Sequence, residues 1–197
     1  MVSQESLWPD EARTTGLGSI DHLERYYTPD KLARFCLNLL PWEGIETVLE
    51  PHGGGGAFVR RFEHLVLPVK PKLHVLDLDN TCWVHRKWQG TPILGNFLYH
   101  EPLPRVDRII GNPPFSNAEA HVDRGLEVSP QVCFLLPMSR FDAGERVPWY
   151  SKAPLRKVWA LGERVWPGSR QIGFFWFDRD WPHPWWQTEV VSWKAAA

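Results

Sequence analysis

The segment Ile110-Gly-Asn-Pro-Pro-Phe115 constrains this chain more than any other. Adjacent prolines fix φ twice and remove two backbone donors, so they belong neither inside a helix nor inside a central strand. The run Arg108-Ile-Ile-Gly111 before them reads as a buried strand that must stop there. Ser116, with Glu119 three residues on, reads as the cap of a helix carried on by Val122 and Leu126 toward Pro130. Strand, rigid turn and helix in that order make a βα unit.

The same alternation runs through the rest of the chain. Thr28 is suited to cap a first helix with Pro29 in its first position, and Leu32, Phe35, Cys36 and Leu39 form its apolar face before Pro41. Thr47-Val-Leu-Glu-Pro51 predicts a strand that runs through the glycines 53–56 into a second helix, with Phe58, Val59, Phe62, Leu65 and Val66 on one side. Further strands are predicted at His74–Asp79, within Pro92–Leu98 and at Val132–Leu136. Lys157–Leu161 and Gly173–Phe177 form a late strand pair, with Thr188–Trp193 as a candidate addition. Prolines argue against a long helix over 139–154, and the Pro- and Trp-rich 180–186 reads as irregular. The expected fold is α/β and doubly wound, with residues 1–20 as a flexible lead-in and 21–197 as one domain.

Composition mainly excludes. Apolar residues make up 43% and charged residues 23% of the 197, as in a globular chain, and no apolar run approaches a membrane span. The polar first 20 residues do not read as a secretory signal. Cys36, Cys82 and Cys133 lie far apart in apolar surroundings, which argues against disulfides and a zinc site and for a cytoplasmic setting. The eight histidines show no metal-ligand spacing, so no metal is expected. A net charge of −1 predicts no basic surface for nucleic acid. The twelve tryptophans suit an aromatic core as well as a base-stacking surface.

Three constellations carry chemistry. In Val48-Leu-Glu-Pro-His-Gly-Gly-Gly-Gly-Ala-Phe58 the glycines form either a tight structural turn or a place where a ligand nears the backbone and helix N–H groups meet an anion. Asp77-Leu-Asp79 ends a strand with acids, either solvated or placed to accept from ribose hydroxyls. Asn112-Pro-Pro-Phe115 presents rigid acceptors beside an aromatic ring, which suits an amino group donating two hydrogen bonds from a ring stacked on Phe115. Acceptors at Asn112 and the Pro113 carbonyl would aim the amine lone pair at a sulfonium methyl, so that displacement needs positioning and electrostatics only.

In these motifs the sequence resembles the N6-adenine DNA methyltransferases, and more narrowly their small phage and prophage-type members. The resemblance implies a Rossmann-like, seven-stranded, mostly parallel sheet with an antiparallel last strand, S-adenosylmethionine as cofactor and DNA as partner. Tyr27-Thr28-Pro29 resembles the segment that contacts the methionine part of the cofactor, and Glu50-Pro-His52-Gly53-Gly-Gly55-Gly56 resembles the cofactor loop. Asp77-Leu78-Asp79 matches the ribose-binding turn, with Asp79 the fallback to Asp77, and Gly95-Asn96-Phe97-Leu98 the turn beside the cofactor adenine. Asn112-Pro113-Pro114-Phe115 matches the catalytic tetrapeptide, Phe134–Met138 the strand after it, and Trp166–Phe177 a hairpin near the target base. Many relatives carry an aspartate where this chain has Asn96. Selectivity is expected from 139–154 or from the aromatic C-terminal end, with Arg140, Arg146 and Arg170 as candidates to meet phosphate. Guanine N2 in RNA, a glutamine amide in a protein, and a binding protein without turnover are the alternatives.

Overall fold

Strand β1 (Thr47–Glu50) lies between β2 (Lys72–Asp77) and β4 (Arg108–Gly111), parallel to both. The chain therefore leaves β1 toward one side of the sheet and returns later to the other, a switch point where open α/β sheets form their binding crevice. The computed structural model describes residues 26–140, 147–166, 171–183 and 185–194. Beyond β2 lies the two-residue β3 (Ile93–Leu94), and beyond β4 lie β5 (Gln131–Pro137), β7 (Ile172–Asp178), β6 (Leu155–Leu161) and β8 (Gln187–Val191).

Seven of these strands run in one direction, and β7 opposes its neighbours β5 and β6. The antiparallel strand is thus the seventh, and the sheet has one strand more than expected: β8 extends the far edge parallel to β6. It is mostly exposed, as an edge strand buried on neither face would be.

Helices α1 (Asp30–Leu39), α2 (Ala57–Glu63), α3 (Trp83–Lys87), α4 (Ala118–Val128) and the short α5 (Val147–Tyr150) cover the sheet. One core joins α1 and α2 to one face through Leu32, Cys36, Phe58 and Phe62 against Val48, Ile110, Cys133 and Phe174. A second joins Val122 and Val128 of α4 to Ile109, Val132, Phe134 and Phe175. Strands buried on both faces explain why β4, β5 and β7 read as continuous apolar runs.

Local chemistry differs from the sequence reading at the helix ends. Pro29 is the cap of α1 and Asp30 its first residue, with no side-chain capping bond from Thr28. Asn117 rather than Ser116 is the N-cap of α4, and its side chain makes no capping bond. Helix α2 stops at Glu63, leaving Val66 97% exposed. The third strand is only Ile93–Leu94, because Gly95–Leu98 turns away into the crevice. Arg108, 1% exposed, is held by the Pro41 carbonyl at 2.6 Å and by Gln131 Oε1 at 3.0 and 2.6 Å. Its alternative partner, water, is excluded there, so these acceptors are what make its burial tolerable. The expected lead-in, residues 1–20, lies outside the described residues.

Candidate active site

The carboxyl ends of β1, β2 and β4 open on a cleft of about 270 Å³. Its floor is the glycine turn. Gly54 and Gly56 have φ of +43° and +77°, and a Cβ on Gly53 would lie 2.8 Å from methyls of Val75 and Val84. Side chains there would require backbone strain or displacement of the core. Three of the turn's four amides are engaged within the protein: Gly53 N–H donates to Leu76 O at 3.0 Å, Gly54 N–H to Asp77 Oδ2 at 2.7 Å, and Gly56 N–H to Gly53 O at 2.7 Å. With those donors engaged and α2 only seven residues long, the turn offers close approach to a ligand rather than the phosphate cradle that helix N–H groups could have made.

Asp77 ends β2 with its other oxygen accepting from Asp79 N–H at 2.8 Å. A carboxylate has about four lone-pair sites, so acceptor capacity remains for ligand hydroxyls. Burial pushes the Asp77 carboxyl up, against the hydrogen bonds from Asp79 and Gly54. Asp79 and Leu78 line the same cleft, Asp79 Oδ1 accepting from the Thr81 amide at 2.9 Å and its hydroxyl at 2.6 Å.

Glu50, 2% exposed, accepts from His52 N–H at 2.9 Å. Burial, reinforced by Asp77, pushes its carboxyl up to about 8 despite that bond. The group also lies against β4, where a Cβ on Gly111 would stand 2.5 Å from Oε1. The strand before the Asn112-Pro113-Pro114 turn thus ends in glycine where the acid of β1 needs room.

His52 meets His121 of α4, Nε2 to Nδ1 at 2.9 Å, and His121 stacks on Phe97 at 6.0 Å and 12°. Burial and the neighbouring ring hold His52 well below its ordinary range, and burial brings His121 down to about 4. Both rings are neutral near pH 7 and give the cleft a polar but uncharged wall. His121 carried no sequence signal: its role depends on α4 docking beside β1. Asn96 Oδ1 accepts from Leu98 N–H at 3.0 Å, which shapes the turn that brings Phe97 inward.

Tyr27 and Thr28 line the opposite side. They are held there because Asp30 bridges to α2 through Arg60 at 2.6 Å and Arg61 at 2.7 Å. Partial burial works against the Asp30 charge, but the two guanidinium groups keep its carboxyl below the ordinary value. Pro29 does not line the cleft; it is the N-cap of α1.

Asn112 and Pro114 line the cleft at the end of β4, whereas Pro113 and Phe115 do not. Pro113 is buried, and Phe115 packs on the core with Tyr26 stacked on it at 5.4 Å and 15°. Asn112 Nδ2 donates to Tyr26 O at 2.6 Å. A carbonyl only accepts, so this bond decides which way the amide points. Asn112 Oδ1 is left buried and without a partner among the described residues. Trp166 closes the corner, tilted against Tyr26 and Phe115 at 5.3 and 6.1 Å.

The aromatic C-terminal end lies elsewhere. Asp178 pairs with Gln131 at the start of β5, so 179–186 emerges at the amino edge of the parallel strands, opposite the cleft. That edge is remote from Asn112, whereas Trp166, after β6, stands beside Phe115. Arg140 ends a 3-10 turn directly after β5. Arg146 and Arg170 lie outside the described residues. Among the described residues no cluster of histidines, cysteines and acids could hold a metal, and no helix is long and apolar enough to cross a membrane.

No family model matches this sequence, and no curated protein does. Solved structures do. A Listeria monocytogenes protein assigned as a class I S-adenosylmethionine-dependent methyltransferase superposes on 93% of this chain, with TM-score 0.70 and 13% identity. The fold is that of the class I S-adenosylmethionine-dependent methyltransferases. The type I restriction-modification methyltransferase subunit of Streptococcus thermophilus matches 84% of the chain at TM-score 0.65 and 12% identity. A Pyrococcus horikoshii protein assigned as an RNA methyltransferase matches 85% at TM-score 0.60 and 18% identity. The chain spans 70%, 47% and 94% of those three proteins, respectively.

Proposed function

We propose that this chain is an S-adenosylmethionine-dependent methyltransferase acting on an exocyclic amino nitrogen, with adenine N6 in DNA the preferred target. The observation that carries this reading is Asn112 Oδ1, a buried acceptor without a partner among the described residues, at the cleft where the strand ends meet. An unpaired buried acceptor costs about 1–3 kcal/mol. An amino group donating to it would recover that cost.

The residues present suit the cofactor. The glycine turn 53–56 leaves room where side chains would stand, and Asp77 retains acceptor sites at the position suited to ribose hydroxyls. Asn96 and Phe97 would border the adenine, with Asn96 Oδ1 already engaged by Leu98, and Tyr27, Thr28, Glu50 and His52 would border the methionine part. The bound cofactor would supply an electrophilic methyl group. Asn112 Oδ1 would accept from the target amine and draw its lone pair out of conjugation with the ring. Positioning of this kind supplies rate without an activated side chain, and the amine proton leaves to water afterwards. In a duplex the base must first be flipped, and Phe115 is the ring for it to stack on.

We read 21–197 as one methyltransferase domain, phage-type and cytoplasmic, on the resemblance of its motifs. The same chemistry on an RNA base is the second reading, supported by the likeness to the Pyrococcus horikoshii protein. A turnover assay with S-adenosylmethionine and unmethylated DNA or RNA, digested and read by nucleoside mass spectrometry, tests both. N6-methyladenine that disappears in Asn112→Ala, with cofactor affinity nearly unchanged, is the expected result. Transfer that persists in Asn112→Ala overturns the assignment.

A further inference from the structure

Tyr26 touches the proposed catalytic turn twice, by its carbonyl on Asn112 Nδ2 and by its ring on Phe115. Resting on the reading above, we propose that Tyr26 is the second wall of the target seat. The substrate ring enters between Phe115 and Tyr26, and the seat selects a planar aromatic amine over a side-chain amide.

The backbone here is stapled at both residues, Tyr26 O by Asn112 at 2.6 Å and Tyr27 O by Trp166 Nε1 at 2.9 Å. The Tyr27 ring lies over the glycine turn, where a Cβ on Gly55 would meet it at 2.8 Å. The Tyr26 ring is different: the residue is 47% exposed, and its ring is bounded by Phe115 on one side and Trp166 at a 50° tilt. A fixed backbone with a half-solvated ring lets the side chain move without moving Asn112.

The stacking geometry states how far it must move. Phe115 and Tyr26 are 5.4 Å apart and 15° from parallel, so they already form two faces of a slot that is closed. A planar ring needs about 3.5 Å to each neighbour, roughly 7 Å in all. Rings already in contact sit about 3.5 Å apart face to face, so the Tyr26 ring must move outward by about another 3.5 Å. Trp166, tilted against both rings, forms the end of the slot. A ring in it lies beside Asn112, whose Oδ1 lacks a donor among the described residues. A glutamine amide meets that acceptor equally well but has no aromatic face to stack between Tyr26 and Phe115.

The test uses the full chain as wild type, Tyr26→Ala and Tyr26→Phe. With the cofactor half of the cleft saturated by S-adenosylhomocysteine, adenosine, cytidine and guanosine are titrated by calorimetry, and KM for an adenine-containing oligonucleotide is measured separately. Tyr26→Ala is expected to weaken the best-bound nucleoside and raise KM about tenfold or more, the size of one base–aromatic stack. S-adenosylhomocysteine affinity should stay within about twofold, which also reports an intact fold, and Tyr26→Phe should restore nucleoside binding. Unchanged or tighter nucleoside binding in Tyr26→Ala, or no nucleoside binding by wild type, overturns the seat. Methylation of DNA with Tyr26→Ala unaffected leaves the methyltransferase reading standing and removes the seat. Nucleoside binding that depends on Tyr26 without methylation of any nucleic acid does the reverse.

Discussion

Replacing Glu50 by glutamine should make the protein more stable as the pH rises, relative to wild type. The carboxyl is 2% exposed and pushed from 4.5 to about 8, by burial first and then by Asp77, against the His52 amide. In the unfolded chain it ionises near 4.5, so between 4.5 and 8 folding takes up a proton. A raised carboxylate pKa leaves stability intact below 4.5 and removes it as the pH climbs through 8. At about 1.36 kcal/mol per pH unit, the cost is about 1.4 kcal/mol at pH 5.5 and about 4.4 kcal/mol at pH 8. Glutamine does not titrate and keeps an oxygen for His52 N–H, now 2.9 Å from Oε1. Asp77, also raised, titrates in both proteins and largely cancels. Urea unfolding from pH 5.5 to 8 should therefore show the gap between variant and wild type widening by about 3 kcal/mol. Any packing loss from the substitution shifts the gap by a constant and leaves its slope. A gap that stays constant would refute the protonated carboxyl.

Other consequences are simpler to read. Asp77→Ala should weaken S-adenosylmethionine binding by about tenfold or more in calorimetry, because it removes the acceptor that holds Gly54 N–H and Asp79 N–H as well as the proposed ribose contact; unchanged affinity would move that role to Asp79. Gly56→Ala places a Cβ into the Trp83 ring at φ +77°, so a loss of about 2 kcal/mol or more is expected in denaturant unfolding, and a neutral effect would show the turn to be adaptable. Isothermal titration in two buffers of different ionisation enthalpy should show a proton released when the cationic cofactor binds wild type at pH 7, and none for Glu50→Gln; equal release in both would place the proton elsewhere.

The order of elements was legible in the chain because strands buried on both faces must be continuously apolar and prolines must end them. Ile109, Ile110, Val132 and Phe134 carry that pattern, and Pro113 and Pro114 end β4 where backbone chemistry requires. The glycine turn, Asp77 and Asn112 could be singled out for the same reason: each is an unusual residue type at a strand end, and strand ends in such sheets meet at one edge, whereas Phe97 was reached only through the resemblance of its motif. Helix caps were less legible, since Thr28 and Ser116 compete with neighbours whose backbone was fixed by docking instead. Which motifs would touch was a tertiary matter. Nothing local brings His121 to His52, or Tyr26 to Phe115 and Asn112 across more than 80 residues of chain. The antiparallel pairing of β7 likewise sent the tryptophan-rich 180–186 to the edge away from the cleft, because strand direction depends on the partner strand and not on the residues that follow. Sequence determined the chemistry each strand end carries. Packing alone decided that Asn112 Oδ1 has no partner among the described residues, with Tyr26 and Phe115 stacked beside it.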